Sequence, residues 1–266
     1  MHWVIQRGLY SRDNFIALTD ALERRDLPHV VVDMSANGER TLPDVRPEGP
    51  VMVCGALRLA RIATTLGWVP GSFANANHDQ RVWGEPWHGH LVNGDAITCR
   101  LDEFKPTGRS VFMRPCEDNK AFSGQVFSPE EMVDLQRRAA YPESAQSALR
   151  PEVMVAHATP KTIMREARFF VVDGRLVAHG TYRVGSHAVC LPNVDVAATD
   201  FAQRMVDIYA PARAFVLDVA LTENGYAVVE VNCINSAGFN GADAGSIVEA
   251  IEGMDFLEYT PSPHAP

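Results

Sequence analysis

Cysteine is scarce and poorly placed in this sequence. Cys54, Cys99, Cys116, Cys190 and Cys233 are scattered, odd in number and form no C-x-x-C pair. A disulfide scaffold and a zinc ribbon are thereby excluded, and reduced thiols in a cytoplasmic protein are the expectation. Long apolar runs are also missing, so no segment is expected to cross a membrane. The N-terminus lacks the basic-then-apolar layout of a signal peptide. Neither common phosphate-loop signature, G-x-G-x-x-G or G-x-x-x-x-G-K-[ST], occurs. Positive charge is in deficit: the formal net charge of -9 argues against a broad electrostatic grip on nucleic acid. No Ser-His-Asp or Cys-His arrangement stands out that would supply a protein nucleophile.

What is present is an ordinary globular composition of 266 residues, 46% hydrophobic and 21% charged. That length holds one large domain or two modest ones. Residues 2–7 read as a strand. Residues 12–25 read as an amphipathic helix, with Phe15, Leu18, Ala21 and Leu22 on one face. Strands over 27–34 and 50–54 follow, then Gly55 and a helix through Leu57, Ala60, Ile62 and Leu66. Strand, helix, strand, strand, helix describes a small α/β domain with a mostly parallel sheet. Gly55 is explained by a tight strand-to-helix turn as well as by phosphate binding.

Residues 72–105 carry His78, His88 and His90 among Trp83 and Trp87. His88 and His90 lack a third nearby ligand, so a substrate-facing loop fits better than a metal site. From residue 110 the pattern changes. A strand over 110–115 ends near Arg114, a polar turn follows, and 121–127 are apolar again. Ser128, Pro129 and Glu131 open a helix to about Arg138 as N-cap, first helical residue and capping-box partner. Strands are expected over 152–158, 161–172 and 175–183, the last two joined by the Asp173-Gly174 turn. Glu166 and Arg168 alternate on one face, and Arg183 lies near the end of the partner strand. Residues 195–209 read as a helix.

The most informative stretch comes last. Apolar runs over 215–221 and 226–232 flank a turn containing Asn224-Gly225, a strong hairpin signal. Glu230 and Asn232 are two apart and share a face; Asp218 sits within the partner strand. The hairpin can gather three oxygen-bearing side chains, a donor set suited to Mg²⁺. Cys233 points to the opposite face, as core packing.

The small α/β unit, the strand ending in a cation, E-x-R-x-F-V-V-D-G at 166–174 and D-(x)₁₁-E-x-N at 218–232 together resemble the ATP-grasp superfamily. The resemblance implies a Rossmann-like α/β domain over 1–75 and a connecting, substrate-facing segment over 76–105. It implies an ATP-grasp domain over 106–258, built of two α+β subdomains that clamp ATP, and a flexible tail over 259–266. Asp218, Glu230 and Asn232 would hold Mg²⁺ against the phosphates. Arg168 and Arg183 would be catalytic, facing negative charge on the substrate or the transferred phosphoryl group. Val153, Val155 and Ala156 would offer backbone hydrogen bonds to adenine, and Glu166 would join the nucleotide-binding set. Arg114 occupies the strand position where most members carry a phosphate-binding lysine. In this it is similar to a bacterial and phage clade with Arg at that position and a Lys supplied elsewhere, here Lys161 or Lys120, with Lys161 preferred. Gly124 is the only glycine between the first two strands of that domain, so backbone phosphate cover is not legible.

The implied activity is that of an ATP- and Mg²⁺-dependent ligase. A small-molecule or peptide carboxylate would become an acylphosphate, and an amine would displace phosphate. A phosphotransferase on the same fold and a non-catalytic nucleotide-binding module are the alternatives. No nucleic-acid or membrane partner is expected, and a homodimer is compatible with the superfamily.

Overall fold

The computed structural model describes residues 1–142, 144 and 147–256. The expected tail, 259–266, lies outside the described residues, as do 257 and 258. The first unit comprises β1 (His2–Gln6), α1 (Arg12–Glu23), β2 (His29–Met34), β3 (Thr41–Leu42), β4 (Val51–Cys54), α2 (Leu57–Thr65) and β5 (Pro70–Gly71). Its sheet runs β3-β2-β1-β4-β5, parallel throughout except for the β3 edge. β4 is buried along its whole length, which is why it reads as an unbroken apolar run. Ser11 caps α1 by accepting from the Asn14 N–H, and the helix buries Leu18, Ala21 and Leu22.

The chain then passes through a short 3₁₀ turn (Ala76–His78) and α3 (Gln80–Trp83) to β6 (Ile97–Arg100). With β7 (Val111–Pro115), β8 (Gln125–Phe127) and β9 (Met154–Ala158), β6 forms an antiparallel sheet in the order β6-β9-β7-β8. Helix α4 (Pro129–Ala140) covers it through Met132, Leu135 and Ala139. Its start carries the expected capping box between Ser128 and Glu131, with Pro129 in the first turn.

The third unit is the largest. β10 (Ile163–Val172), β11 (Arg175–Val184), β12 (His187–Leu191), β13 (Ala214–Thr222) and β14 (Gly225–Asn232) form an antiparallel sheet ordered β12-β11-β10-β13-β14. Helix α5 (Val196–Ile208) packs on one face and α6 (Ala244–Glu252) on the other. Because both faces are covered, alternation sorts residues between two cores rather than between core and water. Phe169, Val171, Leu217 and Val219 meet α5 together with Trp83 and Trp87. Phe170, Val172 and Val216 point the other way, into a core shared with Trp3, Ile5 and Leu22 of the first unit. Each such fully buried side chain contributes about 1.5–3 kcal/mol of transfer free energy.

Two sequence expectations change in detail. Residues 121–124 do not extend β8, and β6 and β12 are strands that the residue pattern left unread. The 76–105 segment is also only partly substrate-facing. Trp83 and Trp87 are fully buried, with Trp87 Nε1 donating to the Met205 carbonyl at 2.8 Å. Its backbone closes the β14 edge: the Val92 N–H donates to Val228 O at 2.9 Å, and the Val228 N–H to His90 O at 2.7 Å.

Candidate active site

Along the even-numbered face of the large sheet, the apolar row stops and charge begins. On β10 it passes from Val172 and Phe170 to Arg168 and Glu166; on β13 it passes from Val216 to Asp218. Strand register places Arg168 beside Asp218, and Asp218 directly opposite Glu230. A bulge after Asp218 shifts the later pairing without disturbing this row. The row opens on a cavity of about 840 Å³ between the large sheet and the β6-β9-β7-β8 sheet. Five cations line it, Arg114, Lys120, Lys161, Arg168 and Arg183, with the carboxylates Glu117, Asp118, Glu166 and Glu230.

Each cation has a defined partner. Arg168 grips Asp218 bidentately, Nε to Oδ1 at 2.9 Å and Nη2 to Oδ2 at 2.7 Å. Its third nitrogen donates to Gly238 O at 3.1 Å, and its guanidinium lies over the Tyr182 ring. Arg114 reaches across from β7 to Glu230 Oε2 at 3.1 Å and to the Val229 carbonyl at 3.3 Å, stacked on Trp83. Lys120 donates to Asn232 Oδ1 at 2.9 Å and pairs with Asp118. Arg183 pairs with Glu166 at 2.6 Å, and the Tyr182 hydroxyl donates to the same carboxylate. Lys161 is held by Asp95 at 2.7 Å. Gly124 explains itself here: a Cβ would sit 3.1 Å from Arg114 Cβ, so glycine lets this loop close over the arginine.

Asp218, Glu230 and Asn232 are brought together as the hairpin predicted. Asn232 Nδ2 donates to Glu230 Oε1 at 2.9 Å and lies 3.4 Å from Asp218 Oδ2. Two carboxylates and an amide oxygen on rigid paired strands fit a hard divalent cation such as Mg²⁺. Among the described residues, no group of three or more His, Cys, Asp and Glu side chains is placed to hold a metal. A cation here therefore depends on the Asn232 oxygen and on ligand atoms. Burial, only partly offset by Arg168, pushes the Asp218 carboxyl up to about 6. Burial also acts upward on Glu230, but Arg114, the Asn232 hydrogen bond, Lys120 and Arg168 outweigh it and hold that carboxyl below its ordinary range.

Val153, Val155 and Ala156 stand apart from the rest of the expected site. They do not line the cavity. β9 is an interior strand, so Val155 and Ala156 are paired with β6 on one side and β7 on the other. Of the two candidate lysines, Lys120 touches the hairpin, while Lys161 stands on Asp95 in the same cavity. Residue patterns did not reveal Tyr182, Asp118 or Asn235. Asn235 is fully buried and joins the hairpin to the first sheet, donating to Val53 O at 2.6 Å and accepting from the Phe73 N–H at 2.8 Å. An amide three residues past Asn232, in an otherwise apolar stretch, was its only sequence signal. Cys233 is buried, as expected, and burial raises its thiol to about 12, which removes it as a nucleophile. His88 and His90 are exposed, whereas His78 is buried.

Residues 65–251 match a family model described as an ATP-grasp domain, family 3 of its clade. No curated protein sequence matches the chain. Among solved structures, a RimK domain ATP-grasp protein from Sphaerobacter thermophilus superposes with a TM-score of 0.61 at 14% identity, covering 95% of this chain and all of that one. D-alanine–D-alanine ligase from Bacillus anthracis, complexed with ATP, gives 0.60 at 11% identity, covering 95% of this chain and 96% of that one. The ATP-grasp ligase PsnB with its minimal precursor gives 0.56 at 13% identity, covering 94% and 98%.

Proposed function

This chain belongs to the ATP-grasp domain family, and on that footing we propose that it is an ATP- and Mg²⁺-dependent carboxylate–amine ligase. The observation that carries the reading is the facing of five cations and the Asp218–Glu230–Asn232 set across one cavity. Phosphoryl transfer needs little covalent help from a protein; it needs positioning and neutralisation of charge. This cavity supplies both. The ligase neighbours, PsnB and D-alanine–D-alanine ligase, support the choice by analogy of fold.

In the proposed reaction, a substrate carboxylate oxygen bonds to the γ-phosphorus as the β,γ-bridging oxygen leaves with ADP. An amine nitrogen then bonds to the acyl carbon, loses a proton, and the phosphate leaves with the C–O electron pair. Asp218, Glu230 and Asn232 would hold Mg²⁺, which supplies charge neutralisation on the phosphates when bound. Arg114, Lys120 and Lys161 would trade their present partners for phosphate oxygens, and Arg168 and Arg183 would face the developing charge. Arg114 here stands for the more usual lysine, with its fork already oriented by Glu230, Val229 and Trp83. The base would lie against Phe112, Val126 and Ile163, the apolar part of the lining. Incubation with ATP, Mg²⁺ and paired carboxylates and amines tests this, with ADP release and product mass measured together. ADP matched by a ligated product is expected. A phosphorylated end product with no ligated product, or no calorimetric binding of ATP with Mg²⁺, overturns it.

A further inference from the structure

A second cavity of about 290 Å³ adjoins the first and shares Glu117 and Asp118 in its wall. Its charge balance is the reverse. Asp79, Glu117 and Asp118 face a single cation, Arg81. That arginine is already spent on Asp79, with Nε 3.0 Å from Oδ1. His78 forms another part of the wall and is only 3% exposed. Its Nδ1 lies 3.3 Å from the Asn75 carbonyl. A carbonyl can only accept, so Nδ1 carries the hydrogen and Nε2 presents a lone pair. That Nε2 is buried and has no partner. Burial also lowers the ring's pKa, which keeps the neutral form in place. A buried acceptor left without a donor is costly in an empty protein and is explained when a ligand brings the donor.

We propose that this cavity is the amine-acceptor site, taking a small primary amine as its ammonium ion. The acidic wall selects positive charge, and the His78 lone pair selects an N–H donor. A carboxylate would meet three acids there. The volume lies at the low end for ligand pockets, roughly 300 Å³ upward, and so admits a molecule of amino-acid size or one terminal residue. Glu117 and Asp118 border both cavities, so a nitrogen held between them stands at the entrance to the nucleotide side. The acceptor role rests on the ligase reading above; the binding of an amine does not.

Calorimetry without nucleotide tests the site, with glycinamide as the probe and propionamide as its uncharged counterpart. Glycinamide is expected to bind saturably and propionamide not at all. Ala76→Phe, at an exposed wall position, is expected to weaken glycinamide at least tenfold, and Glu117→Gln several-fold, with thermal melting as the check on folding. Equal binding of the two probes, or glycinamide binding unchanged in Ala76→Phe, overturns the proposal. The two readings also fail separately. Glycinamide binding lost in Ala76→Phe, with no amine releasing ADP, supports the cavity and sinks the ligase. ADP release with glycinamide that Ala76→Phe leaves untouched sinks the cavity and keeps the ligase.

Discussion

Arg114 and Arg168 carry the same charge as Lys120 and Arg183 around one cavity, yet the two pairs live in different solvents. The side chains of Arg114 and Arg168 are 10% and 13% exposed, those of Lys120 and Arg183 59% and 48%. A buried cation cannot stay charged alone, so Arg168 and Asp218 depend on each other, as do Arg114 and Glu230. An exposed ion pair is worth about 0–1 kcal/mol and re-forms with any better anion. The difference separates a fixed wall, whose charges also hold the fold, from a wall whose charges are free to change partners when phosphate arrives.

The sharpest way to break that contrast is Arg168→Ala. It strands Asp218, which is fully buried, and should cost about 3–5 kcal/mol in urea unfolding. The double variant Arg168→Met with Asp218→Leu should recover most of that loss, because the burial penalty is then removed with the pair. A cost for Arg168→Ala no larger than for Arg183→Ala would erase the distinction between the walls. Next in size is Glu230→Ala, which removes a donor aimed at the phosphates. ATP turnover should fall about 10²- to 10³-fold by ADP assay, and wild-type turnover would refute the metal assignment. Arg114→Lys should follow. Lysine cannot bond Glu230, the Val229 carbonyl and the Trp83 face together. Losing one charged hydrogen bond, about 1.5–3 kcal/mol, should raise the Michaelis constant for ATP at least tenfold.

The contrast also marks what residue patterns could reveal. The fixed wall was legible because it lies on strands. Glu166, Arg168, Asp218, Glu230 and Asn232 follow a period of two through apolar runs, and an Asn-Gly turn set the hairpin register. The other wall lies on loops, where no period applies. Lys120 reaches Asn232 from a left-handed backbone position, φ 54°, and nothing in its neighbours announces that reach. The interior placement of β9 was hidden for a related reason. Its second neighbour, β6, is four residues long and mostly exposed, too short and polar to read as a strand. The second cavity depends on His78, which looked like one of three loop histidines until the packing of Trp83 and Asn75 around it was seen.

Protonation gives a smaller test of the fixed wall, with a sign opposite to the usual carboxylate. The folded-state value for Asp218, about 6, lies above the ordinary 3.8. The folded protein therefore binds this proton more tightly than the unfolded chain, and the group's contribution to stability falls as pH rises between those values. Asp218→Asn does not titrate, so its stability relative to wild type should improve from about pH 4 to about pH 7 in paired denaturation curves. A gap that does not change with pH would mean that Arg168, rather than burial, governs Asp218.

The smallest effect belongs to the exposed wall. Arg183→Ala should change unfolding free energy by less than about 1 kcal/mol, since Glu166 keeps the Tyr182 hydroxyl as a donor after the arginine is gone. The same variant should still weaken ATP use, and high salt should weaken wild type in the same direction, because a cation half in water is screened. Stability and activity therefore part company at Arg183 and move together at Arg168. A loss of stability at Arg183 comparable to that at Arg168 would show that Glu166, which is itself buried, needs its arginine as much as Asp218 does. The fixed wall would then extend one strand further, to β11.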